Sequence, residues 1–593
     1  MKTFSLSAFL FTIFIALSLS AQAQILPAEQ ERALRNLEQN QQRQENLLKN
    51  LEEEQERTVR ERKKPGTEEE LLQENQETKL KESGKKTACF EIKTIELKDA
   101  TILKGRALNK LIKPYLNTCM TLVEINQLMH NVTNYYISHG YVTTRVAIPQ
   151  QNLKSGHLEL LVIEGVIEDI ILNENTSRDR AQVAMAFPFL RGKILNLRDI
   201  EQGLDQLNRL ASSTATMQLI PGGKQGGTKV VINNKIGAQN RGSLGYDNSG
   251  QNSTGKNKVL AGVERDNLLG IGDYWSLNYN KDTAAHNGTK GSEVYSGYFS
   301  LPFGYWTFSE IGSHSEYLQT IRGINQNFQA SGETDSSTSK LDRVVFRNQN
   351  SKISLNSALK LKNTKAFIED AANTSGTYQL TIWTAGADYV LRALGSVWSL
   401  SGGYERGISA FGATKDIANI ASDAPHAQFD KYTIDATVYK PFTLKTANLA
   451  WRSIISGQYS NDTLYASERI SMGDRYTVRG FDNSGIAGDS GIYNRNEIMW
   501  NLPQFSENKY LNLVAGNLQP YVALDMGTAR AVAGKQANND SGVGYLSGWA
   551  IGLRNGGEHI IFDLAYSQNI ASPAAVTDKN SEVYFMVTTK WGF

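Results

Sequence analysis

The sequence predicts a membrane all-β protein: a transmembrane β-barrel of about 16 strands with two small α+β domains ahead of it. Three observations carry this reading. The chain opens with an export-type segment. Beyond that segment it has no apolar run of about 18 residues or more, so no helical span is written in it. From residue 237 onward, short alternating segments are separated by Gly, Asn and Asp turns. An exported chain of this kind satisfies its backbone groups in lipid only by closing a barrel. A soluble β-sandwich gives similar alternation and is the competing reading.

Residues 1–23 read as a signal peptide. Lys2 supplies the positive start, Phe4 to Leu19 the apolar run, and Ala21-Gln22-Ala23 a small-x-small cleavage site, so the mature chain is expected to begin at Gln24. A signal anchor that stays attached is the alternative. Lys+Arg and Asp+Glu number 62 and 60, for a net charge of +2, which removes the case for a nucleic-acid binder.

Residues 24–60 lack glycine and are rich in helix formers. Leu34, Leu37, Leu48 and Leu51 fit a helical stripe, but Gln41 and Gln44 interrupt it. A helix polar on nearly every side belongs in water or in a polar cavity. Residues 61–86 are charged and read as a linker.

Residues 87–165 and 166–236 then repeat one order of elements, which suggests tandem α+β modules. In the first, CFEIKTIEL, YVTTRVAI and LELLVIEG read as strands around an amphipathic helix that ends at Gly140. In the second, IEDIIL, TMQLIPG and TKVVINNK read as strands around the helix LNLRDIEQGLDQLNRLA. Cys89 and Cys119 are the two cysteines; in an exported chain they form either one disulfide, closing a loop of about 30 residues, or two buried free thiols.

Residues 237–593 are the barrel. In HIIFDLAYS, Ile560, Phe562, Leu564 and Tyr566 share one face and Ile561, Asp563 and Ala565 the other. In the last strand Val583, Phe585, Val587, Trp591 and Phe593 are expected to face one way, with the terminal aromatics at an interfacial girdle. No GxSxG, HExxH or complete Walker A motif is present, and no Cys/His cluster suggests a metal. Gly270-Ile271-Gly272 follows a strand without a helix behind it and reads as a barrel turn. No catalytic residue, metal or cofactor is therefore assigned.

One constellation stands out. The segment SMGDRYTVRGFDNSGIAGDSG (471–491) is long, glycine-rich and weakly apolar, and carries Val478-Arg479-Gly480-Phe481. Further on, PYVALDMGTAR reads as a strand with Val522, Leu524 and Met526 toward lipid, leaving Tyr521, Ala523 and Asp525 toward the lumen. An inward carboxylate shielded from water needs a partner, which Arg479 supplies if its loop folds inward. The other reading is a solvated Asp525 and an unrelated Arg479 on an outer loop.

These residues resemble the TpsB family, the outer-membrane transporters of two-partner secretion (ShlB/FhaC/HecB-type haemolysin secretion/activation proteins). In the first module the likeness runs from Gly140-Tyr141 through Pro149-Gln150 to Glu164-Gly165 within HGYVTTRVAIPQQNLKSGHLELLVIEG. GKILNLRDIEQGLDQLNRL with MQLIPGGKQGGTKVVI carries it in the second. In the barrel it rests on GYDNSGQNSTGKNKV, DNLLGIGDYWSL, RISMGDRYTVRGFDN and IAGDSGIYNRNEIMW. Asp474 stands where a second glycine is common, and Thr588 where many outer-membrane signals have glycine before the final aromatics.

The resemblance implies a plug helix at 24–60 lying in the lumen, a linker at 61–86, and periplasmic POTRA domains at 87–165 and 166–236. It implies that these domains capture an unfolded TpsA-type exoprotein (haemolysin, adhesin or contact-dependent toxin), with strand addition to a sheet edge as the mode. Gly140, Tyr141, Pro149, Gln150, Glu164 and Gly165 are the candidate partner-binding residues. It further implies that the loop with Val478, Arg479, Gly480 and Phe481 folds into the barrel and that Arg479 pairs with Asp525 of the Asp525-Met526-Gly527 motif. Trp591 and Phe593 would form the C-terminal signal read by the barrel assembly machinery, and outer-membrane lipid would surround the belt. The nearest rival is a factor that inserts other barrels, which typically carries more POTRA domains and no leading plug; an adhesin with a barrel anchor would need a large passenger, and a simple porin would not need residues 87–236.

Overall fold

A computed structural model describes residues 89–592 apart from 284–287, 323–325, 482–484, 504–515, 533–543, 558, 575 and 577–580. The expected signal peptide (1–23), plug helix (24–60) and linker (61–86), and Phe593, lie outside the described residues.

The first module is built on two small sheets. Cys89–Ile92 pairs antiparallel with Thr118–Thr121, and the cystine Cys89–Cys119 joins the two strands. Thr94–Lys98 runs parallel to His157–Ile163, whose other side pairs with the short strand Arg145–Ala147. The segment CFEIKTIEL, expected as one strand, is thus two, broken at Lys93 because its halves serve different sheets. YVTTRVAI is stranded only over Arg145–Ala147. Helix α1 (Gly105–Ile112), absent from the sequence reading, starts without a side-chain cap. Helix α2 (Leu122–Ser138) starts at a reciprocal Thr121/Glu124 capping box and stops before Gly140, whose φ of +92° suits glycine. Ile125, Leu128, Val132 and Tyr136 on one face of α2 pack on Leu158 and Leu160.

The second module repeats the plan. Val166–Leu172 lies parallel to Gly227–Ile236, which pairs antiparallel with the edge strand Ser213–Pro221. Helices α3 (Ser177–Ala186) and α4 (Leu197–Asn208) cover one face, burying Val183, Ile200 and Leu204 on Ile170, Val230 and Ile232. The capping box of Thr176 and Asp179 was the sequence signal for α3 that went unread.

The seam between the modules uses the residues of the Gly140…Gly165 pattern. Leu197 N–H donates to Gly140 O at 2.8 Å, and Leu195 N–H to Gly165 O at 2.7 Å. A Cβ at Gly140 would lie 2.5 Å from Asn196 Oδ1, and one at Gly165 only 2.0 Å from Thr143 Oγ1. Glu164 points back into the first module. Its carboxylate accepts Thr101 N–H (2.7 Å), Ile102 N–H (3.0 Å) and Tyr136 O–H (2.7 Å), and bonds Thr101 Oγ1 as well. Partial burial opposes the charge, but these donors outweigh it and hold the carboxyl below its ordinary value.

Residues 240–592 close an antiparallel barrel of sixteen spanning strands, with the two-residue piece Ala371–Ala372 beside the seventh. Closure comes from the last strand, Glu582–Gly592, pairing with the first, Asn240–Asp247. The strands are less uniform than the expected length of about 10 residues: the first has 8 and the sixth, Asn327–Arg347, has 21. Alternation sorts the faces. Leu277, Ile434, Val522, Leu524, Leu564 and Val587 are exposed outward as the lipid belt, while Ser300, Thr364 and Asp525 are buried on the lumenal side. No helix among the described residues is long and apolar enough to cross a membrane.

The second module is fastened to the periplasmic end of this barrel. Gln202 and Gln206 of α4 donate to Gly304 O (3.1 and 2.8 Å), and Arg209 to Gly272 O (2.6 Å). Arg347 reaches Asp205 at 2.7 Å and Glu201 at 3.3 Å. Gly270 and Gly272 do sit in a turn, with φ of +80° and +82°, and that turn is one of the docking points.

Because the folded Glu164 carboxyl lies below the ordinary 4.5, its stabilisation is complete above pH 4.5 and drains as pH falls through the lower folded value. Melting of residues 89–236 followed by circular dichroism should show this acid loss in the native sequence, and Glu164→Gln should flatten the pH dependence in that window. An unchanged profile would contradict the anchoring role.

Candidate functional site: a loop buried in the barrel wall

Loop 461–489 joins the eleventh strand, Ala447–Ser460, to the twelfth, Ser490–Trp500, on the outer side. Its described residues do not extend away from the membrane. Its own hairpin, Ile470–Met472 against Ile486–Gly488, packs on the lumenal wall, and Val478, Arg479 and Phe481 are almost fully buried. Asp474 accepts Tyr476 N–H (2.7 Å) and Thr477 N–H (2.9 Å). This departure from the family pattern therefore forms an Asx-type turn that starts the tip.

Arg479 is the centre. Its Nε and Nη2 donate to the two oxygens of Asp525 at 2.6 and 2.8 Å, its backbone N–H adds a bond at 3.2 Å, and Nη1 donates to Glu497 Oε1 at 2.7 Å. This is the forked geometry that arginine, and not lysine, can present to a carboxylate. Burial opposes the guanidinium charge, but Asp525 and then Glu497 outweigh it and hold the group protonated more firmly than a free arginine. Arg554 shares Glu497 at 2.5 Å and stacks over the Tyr521 ring, 4.1 Å from its centroid. Arg495 fixes the loop from beneath by donating to Tyr476 O at 2.7 Å.

The glycines around Arg479 make its approach possible. Asp525 on the thirteenth strand, Leu518–Arg530, pairs across to Gly548 on the fourteenth, Gly544–Asn555. A Cβ at Gly548 would lie 1.9 Å from Arg479 O, so any side chain there collides with the loop backbone. Gly480, at φ +96°, lies against Gln568 and Asn569, where the wall carries a register shift opposite Ser547/Gly548. A Cβ at Gly527 would fall 2.5 Å from Met472 Sδ. Tyr584 O–H donates to Phe481 O at 3.1 Å.

The structure thus brings Val478, Arg479, Gly480, Phe481, Asp525 and Gly527 to one place. Glu497 and Arg554 were missed by sequence reading. The signal for Glu497 lay in its strand: Ile492, Ile498 and Trp500 mark the lipid face, which leaves Arg495 and Glu497 inward. A second clasp was also missed. Glu468 of the same loop is buried between Lys362 (2.8 Å) and Lys431 (2.9 Å) of distant strands. Nothing in sequence spacing joins those three. Beneath the loop lies a cavity of about 160 Å³ lined by Arg452, Arg475, Arg495, Arg554, Glu497 and Tyr521 among others.

Of the other candidates, Gly140, Tyr141, Glu164 and Gly165 lie at or beside the seam between modules. Pro149 and Gln150 follow the short edge strand Arg145–Ala147. Trp591 is exposed on the last strand, and a Cβ at Gly242 on the first would lie 2.5 Å from its ring. The longest described sheet edge in the modules is Ser213–Pro221. Ala215 turns its N–H and C=O away from the neighbouring strand, where Asn208 caps both (2.6 and 3.0 Å). By the two-residue period Met217 and Leu219 turn the same way, with no partner for those groups among the described residues.

A family model described as "Haemolysin secretion/activation protein ShlB/FhaC/HecB" matches residues 226–555, a "POTRA domain, ShlB-type" matches 90–165, and a further "POTRA domain" matches 166–221. An "Outer membrane transporter CdiB" of Dickeya dadantii (strain 3937) is 32% identical over 465 residues, covering 78% of this chain and 80% of that one. "Hemolysin transporter protein ShlB" of Serratia marcescens is 30% identical, over 74% of this chain and 75% of its own. A solved structure of "CdiB from Escherichia coli" superposes with a TM-score of 0.81 at 27% identity, covering 96% of this chain and all of that one.

The contact at Gly548 allows the loop to be displaced without touching a charge. Gly548→Ala should cost the inward state about 1–3 kcal/mol, the usual range for overpacking a filled site. Trypsin added to intact cells should then cut at Arg475 or Arg479, which the native barrel protects. A variant as resistant as the native protein would show that the loop is not held against this wall.

Proposed function

The chain belongs to the haemolysin secretion/activation (ShlB/FhaC/HecB) family of outer-membrane transporters, and from that membership we propose that it captures an unfolded TpsA-type exoprotein in the periplasm and passes it through the barrel. The barrel stands in the outer membrane with its two POTRA modules on the periplasmic side. The cargo class is a haemolysin, adhesin or contact-dependent toxin. The observation that carries the reading is the pairing of an intake and a gate in one chain: an open sheet edge on a module fastened to the barrel mouth, and a lumenal loop held by Arg479.

Capture is assigned to the edge strand Ser213–Pro221. An extended cargo segment adds to it through the outward N–H and C=O of Met217 and Leu219. Pro149 and Gln150, beside the short edge Arg145–Ala147, offer a second landing place. Gly140, Tyr141, Glu164 and Gly165 act indirectly, by setting the angle between the modules. The chain carries no nucleotide motif, so direction comes from capture inside and folding outside, where a folding free energy of about 5–15 kcal/mol opposes return.

The loop at Arg479 is the gate element in this reading. Its ion cluster sets a discrete inward position that extended cargo must pass, while the sixteen-stranded wall stays closed. The wall itself enters the membrane through the barrel assembly machinery, with Trp591 at the end of the last strand as part of the signal.

Co-expression with an exoprotein that carries an N-terminal secretion domain tests the proposal. Native chain should release the exoprotein to the medium. Met217→Pro removes one outward donor at an edge position that tolerates proline; it should reduce secretion several-fold with the barrel still assembled, while Met217→Leu should not. Full secretion by Met217→Pro would overturn the assignment of the edge.

A further inference from the structure

We propose that the second module has its own foot in the membrane: Phe189 sits in the phospholipid of the periplasmic leaflet, beside the barrel wall. Phe189 lies in the short loop after α3. Its neighbours turn inward, Phe187 being buried in the module core and Leu190 packing against that core. Phe189 alone turns out, with 77% of its surface exposed.

Its backbone is as unexpected as its exposure. At φ +61° it lies in the left-handed region, where glycine or asparagine is the ordinary occupant. Phe411, on an outer loop, shares this backbone region and this exposure, so it is the place of Phe189 against the barrel that points to its occupant. Lipid at that place would remove the ring's apolar surface from water.

The position fits a lipid occupant because the site continues the barrel's own belt. The fourth strand, Gly291–Phe303, runs toward the periplasm, and Phe303 is its last outward residue, 41% exposed. The rings of Phe189 and Phe303 meet edge to face, 6.1 Å between centroids. Trp306 and Phe308 carry the outward aromatic row onto the next strand. Leu268 and Leu269, both more than half exposed, stand on the turn that also docks the module. The loop's place is fixed: Gly304 N–H donates to Met185 O at 2.8 Å, and a Cβ at Gly304 would lie 2.7 Å from Pro188. With the strand end and the loop held together, a bilayer covering Phe303 also reaches Phe189. The foot would keep the module's edge strand at a fixed height above the membrane.

The test uses the full chain in phospholipid nanodiscs. The two native cysteines are joined as a disulfide, so a nitroxide can be placed at Phe189→Cys. A matched label goes at Phe411→Cys, on an outer loop and 73% exposed. The label at 189 should respond several-fold more to dissolved oxygen, relative to a water-soluble nickel chelate, than the label at 411. Its response should shift toward the 411 value when the same protein is held in a polymer without lipid. Equal, water-like responses at the two positions in nanodiscs would overturn the proposal. So would a lipid-like response at 189 that survives lipid removal, since a protein contact would then be covering the ring.

Discussion

The structure turns on one buried cation. Arg479 has left water, and a guanidinium does that at a cost of several kcal/mol unless its donors are met. Here four of its donor contacts are met by two carboxylates, Asp525 and Glu497, themselves buried on neighbouring strands. Remove Asp525 and the buried guanidinium keeps only Glu497; remove Arg479 and the buried Asp525 loses the fork that meets it. The loop is therefore not draped in the lumen but held at one position. The pair is better understood as specifying where the loop sits than as adding stability, because a buried ion pair often contributes little net free energy.

The surroundings follow from that requirement. Asp525 can be reached only because the position opposite it is Gly548, and the loop lies flat only because Gly480 and Gly527 have no side chains in the way. Arg554 and Tyr521 complete the carboxylate's shell, and the Glu468 clasp between Lys362 and Lys431 ties the loop's other end to far strands. Burial opposes the Glu468 charge, yet Lys362 and Lys431 hold its carboxyl well below the usual range, so the clasp stays ionised in mild acid. At the other end of the barrel, the docking of α4 on the periplasmic turns places the second module directly at the mouth. The docked module and the inward loop are thus joined through one continuous wall.

Much of this was legible in the sequence because period-two alternation is a strong signal wherever one face meets lipid. Val522, Leu524 and Met526 outward against Tyr521, Ala523 and Asp525 inward is what the thirteenth strand displays. The pairing of Arg479 with Asp525 was only one of two readings of the residues until the family likeness favoured it, since 46 residues and a loop of unknown direction separate the two. Glu497 was readable from its own strand. The clasp at Glu468 was not, because which strands face each other across a lumen depends on closure. In the modules, CFEIKTIEL looked continuous because nothing in it breaks a strand; the break at Lys93 is imposed by two different partner sheets. Helix α1 lacks a capping side chain and so left no mark at its start.

The central claim is that Arg479 and Asp525 act as one unit in holding the loop where secretion needs it. A double-mutant cycle of Arg479→Ala and Asp525→Ala, scored as exoprotein released by cells with equal amounts of assembled barrel, tests that directly. The account predicts that each single change reduces secretion and that the double variant is no worse than the poorer single, because the second change removes a partner already lost. Additive losses, or native secretion by Arg479→Ala, would contradict it.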